Sequence, residues 1–180
     1  TKWSDSSGTG YGLVLDGDNG LSLWIGGSDG RVERISTGVP LRRAFWYFVA
    51  ASYDSSTGRV LLYQQPKTMW PMDETAAVVE RDIGRLGIAE NGMPLIMAGY
   101  CEGEESATPD IAGLYNGKID RPTIFGRGLS LQELESLRDG ASPSEFGDSL
   151  IGAWDFARDF SSDQATDSSN NGLHGHTVNR

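Results

Sequence analysis

Alternation with a period of two runs through most of the chain. Tyr11, Leu13 and Leu15 fall on one face of an extended Tyr11–Asp16, and Leu21, Leu23 and Ile25 do the same in Leu21–Ile25. Between them Asp16-Gly17-Asp18-Asn19-Gly20 supplies an Asn-Gly step for the positive φ angles of a tight hairpin. Arg31–Ser36 reads as a polar edge strand. Ala44–Tyr53 is almost wholly apolar and predicts a central strand buried on both faces; Asp54–Gly58 then turns the chain into a strand over Arg59–Gln65. Pro66–Gly92 carries little periodicity. Ala76–Glu80 fits a strand or a helical turn, and the strand is preferred. Leu95–Tyr100 and Leu114–Phe125 read as extended, the second with Pro122 marking an edge or a bulge.

One helix interrupts this pattern. Ser130-Leu131-Gln132-Glu133 is a capping box, Leu131, Leu134 and Leu137 form an apolar stripe, and Gly140 offers a stop. Leu150, Gly152, Trp154 and Phe156 then alternate in a further strand, and a last strand is expected within Leu173–Val178, inside a turn-rich tail over 163–180. About ten short strands with one small helix near 130–139 predict an all-β fold: a two-sheet antiparallel jelly-roll sandwich.

Composition narrows the picture. At 180 residues the chain has the length of a single domain, 1–180, and its 24 glycines suit many tight turns. The net charge of −10 argues against nucleic acid as a partner, because such binding rests on Lys and Arg neutralising phosphates. The charge is uneven: five arginines lie between Arg31 and Arg59 against Glu33 and Asp54, whereas Asp139–Asp167 holds seven acids against Arg158. These read as solvated faces or as patches that dock on neighbouring domains or subunits. The longest apolar run, Ala44–Ala51, is too short to cross a bilayer, so no membrane partner is expected. The lone Cys101 cannot form an internal disulfide and suits a reducing, cytoplasmic setting.

The ordered set Gly10-Tyr11-Gly12-Leu13, Trp46-Tyr47-Phe48-Val49-Ala50-Ala51-Ser52-Tyr53-Asp54, Val60-Leu61-Leu62-Tyr63, Gly117-Lys118-Ile119-Asp120 and Gly128-Leu129-Ser130 resembles laminin-G-like domains of the concanavalin A-like jelly rolls. That resemblance implies one or two strands ahead of Gly10, so the chain is expected to be a fragment of a longer one. The tail, Leu150-Ile151-Gly152-Ala153-Trp154-Asp155-Phe156 with Asp167-Ser168-Ser169-Asn170-Asn171-Gly172-Leu173-His174-Gly175, resembles the large subunit of N,N-dimethylformamidases. It implies a parent that hydrolyses the C–N bond of a small amide with a mononuclear iron held by two Tyr and a Glu. None of those ligands can be placed on this chain. No cofactor is therefore expected within it, and its partners would be the other domains and subunits of that parent.

Catalytic constellations are sought without success. Glu80-Arg81-Asp82-Ile83-Gly84-Arg85 has Arg where a glucanase strand on this fold needs its second Glu. Asp16–Gly20 lacks the spacing of a calcium loop, with Gly20 and Gly27 at ligand positions, and reads as a turn. Asp163, Asp167 and Asn170 offer oxygens to a cation, although turn chemistry explains them without one. His174 and His176 share a strand face with no further ligands by spacing. Cys101 lies beside Glu102 and Glu104, which would blunt it as a nucleophile. Trp70 and Tyr100 are loop aromatics that could stack on a sugar or anchor a loop. Asp120 and Asp155 read as mid-strand residues accepting backbone or Arg hydrogen bonds. The expected function is a non-catalytic domain of a dimethylformamidase-like amidohydrolase, in assembly or active-site access. The alternative is a carbohydrate-binding, lectin-like module of a secreted or surface protein.

Overall fold

The computed structural model describes residues 1–68, 74–102, 110–158 and 161–178. The chain divides into two compact units, Thr1–Asn116 and Gly117–Arg180. The fold is all-β, built from antiparallel sheets with one short α-helix, as the alternation predicts.

The first unit holds β1 (Lys2–Ser4), β2 (Thr9–Leu15), β3 (Gly20–Gly26), β4 (Val32–Pro40), β5 (Tyr47–Asp54), β6 (Arg59–Pro66), β7 (Ala77–Asp82), β8 (Tyr100–Glu102) and β9 (Asp110–Ala112). Six of them form one sheet in the order β4-β3-β2-β1-β8-β9, and three form a second, β5-β6-β7. All neighbours are antiparallel except β1 and β8. Leu21, Leu23, Ile25 and Ile35 of the larger sheet meet Val60 and Leu62 of the smaller, with Leu86 closing the cluster. Burying such side chains away from water is the main favourable term, roughly 1.5–3 kcal/mol each.

The two hairpins form where the turn chemistry puts them. Asn19 has φ 62°, and the Asp16 carboxylate accepts from the backbone N–H of Asp18 and Gly20 and from the Ser36 hydroxyl. At the second hairpin Gly58 takes φ 83°, and a Cβ there would fall 2.3 Å from the Gly84 carbonyl carbon. Only glycine satisfies both constraints.

Three expectations are corrected. Ala44–Tyr53 does not form a central strand: β5 begins at Tyr47, Ala44 sits in a turn at φ 66°, and among the described residues β5 pairs only with β6. The centre of that sheet is β6, whose Val60, Leu62, Tyr63 and Gln64 are buried. β5 is apolar because Ala51 and Tyr53 pack on the core from one face while Phe48 meets the Tyr63 ring on the other. Of Leu95–Tyr100 only Tyr100 is in a strand, since Ala98 turns the chain at φ 68°. Of Leu114–Phe125 only Thr123–Phe125 is, the backbone being turned at Arg121 with φ 47°.

Between β7 and β8 runs a strap over 83–96, held largely by its main chain. The Tyr53 hydroxyl donates to the Leu86 carbonyl and accepts from the Leu86 N–H, both at 2.8 Å. Arg31 donates to the carbonyls of Ile83 and Arg85, and Lys2 to those of Asn91 and Met93. Leu86 and Met93 point inward and are fully buried.

The second unit holds β10 (Thr123–Phe125), α1 (Leu131–Arg138), β11 (Leu150–Ala153), β12 (Gln164–Ala165) and β13 (Gly175–His176). The capping box forms as read: Ser130 Oγ accepts from the Glu133 N–H and the Glu133 carboxylate accepts from the Ser130 N–H. The Arg127 guanidinium, 2.6 Å away, holds that carboxyl down at about 2. Gly140 follows the helix at φ 107°. A short 3-10 segment, Pro143–Ser149, was not foreseen. The last expected strand shrinks to Gly175–His176.

Gln64 is the polar residue on which the first unit's layers converge. Its amide nitrogen donates to the carbonyls of Val39 at 2.9 Å and Thr75 at 2.8 Å, and its oxygen accepts from the Thr37 hydroxyl at 2.8 Å. Gln64→Leu keeps the volume but strands both carbonyls, so a loss on the order of 2–3 kcal/mol is expected. Gln64→Glu at neutral pH, which sets a carboxylate against the same carbonyls, should cost more. Urea unfolding midpoints at an unchanged slope provide the check.

Candidate functional site

The turn from β1 to β2 is Asp5-Ser6-Ser7-Gly8, closed by the Gly8 N–H on the Ser4 carbonyl at 2.9 Å with Gly8 at φ 64°. It gathers hydroxyls into one wall. Ser4 Oγ lies 3.2 Å from Ser6 Oγ, and Ser7 Oγ 2.7 Å from Thr9 Oγ1. The facing wall is Glu90-Asn91-Gly92-Met93 of the strap, seated by Lys2. Between them is an open depression of about 370 Å³. Asn91 donates from Nδ2 to the Thr9 carbonyl at 2.9 Å, which fixes the orientation of the amide. Its Oδ1 is then buried with no hydrogen-bond partner among the described residues.

This lining can exchange hydrogen bonds with a polar ligand. Its serines are paired with neighbouring hydroxyls, Ser4 with Ser6 and Ser7 with Thr9, and Glu90 is the carboxylate of the lining. The sequence reading missed this cluster, whose only signal was the dense run of hydroxyls in Ser4–Thr9 opposite an Asn-Gly step. A second, shallower depression of about 220 Å³ is lined by Arg59, Glu80, Arg81 and Asp82.

The residues singled out from sequence are scattered. Glu80 and Asp82 are exposed on β7, Glu80 3.8 Å from Arg59 and Asp82 accepting from the Gly84 N–H. Asp16 and Asp18 belong to the hairpin turn. Cys101 is buried in β8, and burial is the main cause that pushes its thiol pKa up, with the N-terminal ammonium acting the other way. Tyr100 is half-buried in the same strand, while Trp70 and Glu104 lie outside the described residues. Asp120 is not mid-strand: it is exposed, ahead of β10. Asp155 follows β11, accepting from the Ala157 N–H and pairing with Arg158 at 3.6 Å.

The tail oxygens serve the fold. Asp167, buried, accepts from the N–H groups of Ala153 (3.0 Å), Ser169 (2.9 Å) and Leu173 (2.8 Å) and from Ser169 Oγ (2.7 Å). Burial alone would raise its pKa, but the four donors outweigh that and hold it at about 2. Asp163 and Asn170 are exposed. His174 accepts from the Asp167 N–H through Nδ1, and His176 is exposed on β13. Among the described residues no group of three His, Cys, Asp or Glu side chains could hold one ion. The Tyr47 hydroxyl bonds Thr75 and the Arg42 N–H, and that of Tyr53 bonds Leu86, so neither phenol is placed as an iron ligand. No helix among the described residues is long and apolar enough to cross a membrane.

No protein-family model matches the chain. It is 28% identical, over 194 aligned positions and its whole length, to the N,N-dimethylformamidase beta subunit of Paracoccus aminophilus. To the subunit of the same name from Alcaligenes sp it is 26% identical, again over its whole length. The chain spans about a quarter of the length of each.

The four donors on Asp167 predict a pH dependence. Its folded pKa, about 2, lies below the ordinary 3.8, so the stabilisation is complete above about pH 4 and is lost as pH falls towards 2. Asp167→Asn replaces one acceptor oxygen by an NH₂ and should speed amide exchange at Ala153, Ser169 and Leu173 at neutral pH. It should also flatten the dependence between pH 4 and 2, read by hydrogen exchange and acid titration of the unfolding midpoint.

Proposed function

We propose that this chain is a non-catalytic, laminin-G-like jelly-roll part of an N,N-dimethylformamidase-like amidohydrolase, acting in assembly or in shaping access to the active site. The observation that carries this reading is the similarity of the whole chain to a quarter of a dimethylformamidase subunit. The hydroxyl-lined depression supports it, since its serine hydroxyls are paired with neighbouring hydroxyls and the described residues that line it include no histidine or cysteine, and the tail carboxylate is committed to backbone donors. On this reading the amide bond is broken elsewhere in the parent, and any iron is held by residues outside this chain.

The test uses the longest natural polypeptide that carries this sequence, produced with its partner subunit. Formate and dimethylamine should be released from N,N-dimethylformamide, with iron detected in the purified protein by mass spectrometry. Glu80→Gln and His174→Gln should leave kcat within about twofold of the unaltered enzyme, because neither touches the reacting amide. An amide-inert, iron-free parent overturns the reading, and a large kcat loss in either variant overturns its non-catalytic part.

One observation favours a second reading, carbohydrate recognition: Ser4, Ser6, Ser7 and Thr9 put four hydroxyls along one wall of the depression, a lining suited to a polyol. A glycan array with and without calcium separates the two, saturable sugar binding favouring the second.

A further inference from the structure

Four asparagines of the chain precede a glycine: Asn19-Gly20, Asn91-Gly92, Asn116-Gly117 and Asn171-Gly172. At such a step the main chain can attack the side chain, because the following residue has no Cβ to obstruct its own nitrogen. The reaction needs that nitrogen in a near-attack position on the asparagine Cγ. Hydrogen bonds that hold the backbone or the side-chain amide elsewhere must open first. The four steps differ in how firmly they are held.

Three of them are locked. At Asn19 the attacking nitrogen is engaged: the Gly20 N–H donates to Asp16 Oδ1 at 2.8 Å. The Asn19 N–H donates to the Asp16 carbonyl and its carbonyl accepts from the Leu41 N–H, both at 2.9 Å. At Asn91 the side chain is engaged, Nδ2 donating to the Thr9 carbonyl at 2.9 Å, and the main-chain carbonyl accepts from Lys2 Nζ at 3.1 Å. Asn171 Nδ2 donates to the carbonyls of Leu150 and Ile151 at 3.0 and 2.8 Å, and its N–H donates to Ser169 Oγ at 3.2 Å.

The remaining step, Asn116-Gly117, lies in the connection from β9 to β10. Before it the Tyr115 N–H is anchored on the Ala98 carbonyl at 2.9 Å. After it the Pro122 carbonyl accepts from the Trp154 N–H at 3.0 Å. Between these anchors, positions 116–121 make no backbone–backbone hydrogen bond among the described residues. Among the same residues neither the Asn116 side chain nor the Gly117 N–H makes a hydrogen bond of any kind.

We propose that Asn116 is a site of spontaneous deamidation, attacked by the Gly117 nitrogen, while the fold withholds the other three steps from the same reaction. Hydroxide takes the Gly117 amide proton, and the nitrogen forms a bond to Asn116 Cγ. The Cγ–Nδ2 bond breaks, and the nitrogen takes a proton from water and leaves as ammonia, which closes a succinimide ring and restores the hydroxide. Water then opens either ring C–N bond of the former backbone nitrogen. Opening at Cγ gives aspartate; opening at the main-chain carbonyl gives isoaspartate, with the chain running through the side chain. The sum is asparagine and water to one of these acids and ammonia. Both products add a carboxylate to the connection, and isoaspartate also lengthens the main chain by a methylene between the anchors at Tyr115 and Pro122. The proposal does not depend on the amide-hydrolase reading.

The experiment incubates the longest natural polypeptide that carries this sequence, folded and at mildly alkaline pH, and follows each Asn-Gly peptide by mass spectrometry after digestion. Asn116 should be converted at least about tenfold faster than Asn19, Asn91 or Asn171, because those three must open locally before they react. Its rate should rise with pH, since hydroxide removes the Gly117 proton. In unfolding concentrations of urea the three locked steps should accelerate and the four rates should draw together. A folded-state rate at Asn116 no faster than the fastest of the other three overturns the proposal, as does a rate that does not rise with pH. A lead at Asn116 that is equally large in urea also overturns it, by assigning the difference to flanking residues rather than to the fold.

Discussion

A primary amide buried between two sheets must find a partner for each of its polar atoms or cost the fold several kcal/mol. Gln64 meets that demand with groups from three residues in two places: Thr37 and Val39 in β4, and the Thr75 carbonyl just ahead of β7. Apolar contacts such as those of Leu21, Leu23 and Leu62 tolerate small slides of one layer over another. Hydrogen bonds of 2.8–2.9 Å do not. The amide thus fixes how β6 lies over β4. Tyr47 reinforces the point by reaching the Thr75 hydroxyl from β5.

The second unit solves a similar problem with less ladder to use. Its strands are two to four residues long, too short to hold a sheet by main-chain pairing alone. Side chains of the tail substitute: Asp167 gathers the donors of three residues, Ser168 and Ser169 reach the carbonyls of Ala153 and Ile151, and Asn171 reaches those of Leu150 and Ile151. The Trp154 indole donates to the Leu173 carbonyl and completes the clasp. The run Asp167–Gly172, which carries much of the resemblance to the dimethylformamidase subunit, is therefore structural material, and its chemistry is that of turns.

The chain announces its elements more clearly than their neighbours. Both hairpins, the polar edge strand β4 and the helix with its Ser130–Glu133 box were legible because each depends on residues adjacent in sequence. Position within a sheet was not. β5 and β6 are both apolar on two faces, so alternation could not tell the edge from the centre, and the buried Gln64 looks in sequence like a solvent-facing residue. The strap was illegible for a different reason. Its anchors are side chains placed far away, Tyr53, Arg31 and Lys2, acting on its backbone, and such bonds leave no periodic mark on 83–96. The hydroxyl-lined depression inherits that opacity, since one of its walls is the strap.

That mode of attachment carries a consequence for variation. A segment gripped by its carbonyls and amides is indifferent to most of the side chains it bears, provided Leu86 and Met93 stay apolar and Asn91 keeps its amide. Exchanges at positions such as Arg85, Ile88 and Glu90 would alter what this stretch presents to its surroundings while leaving its course unchanged. The strap is in that sense a mounting rail: the sandwich supplies the fastening, and new specificities can be fitted to it without refolding the protein that carries them.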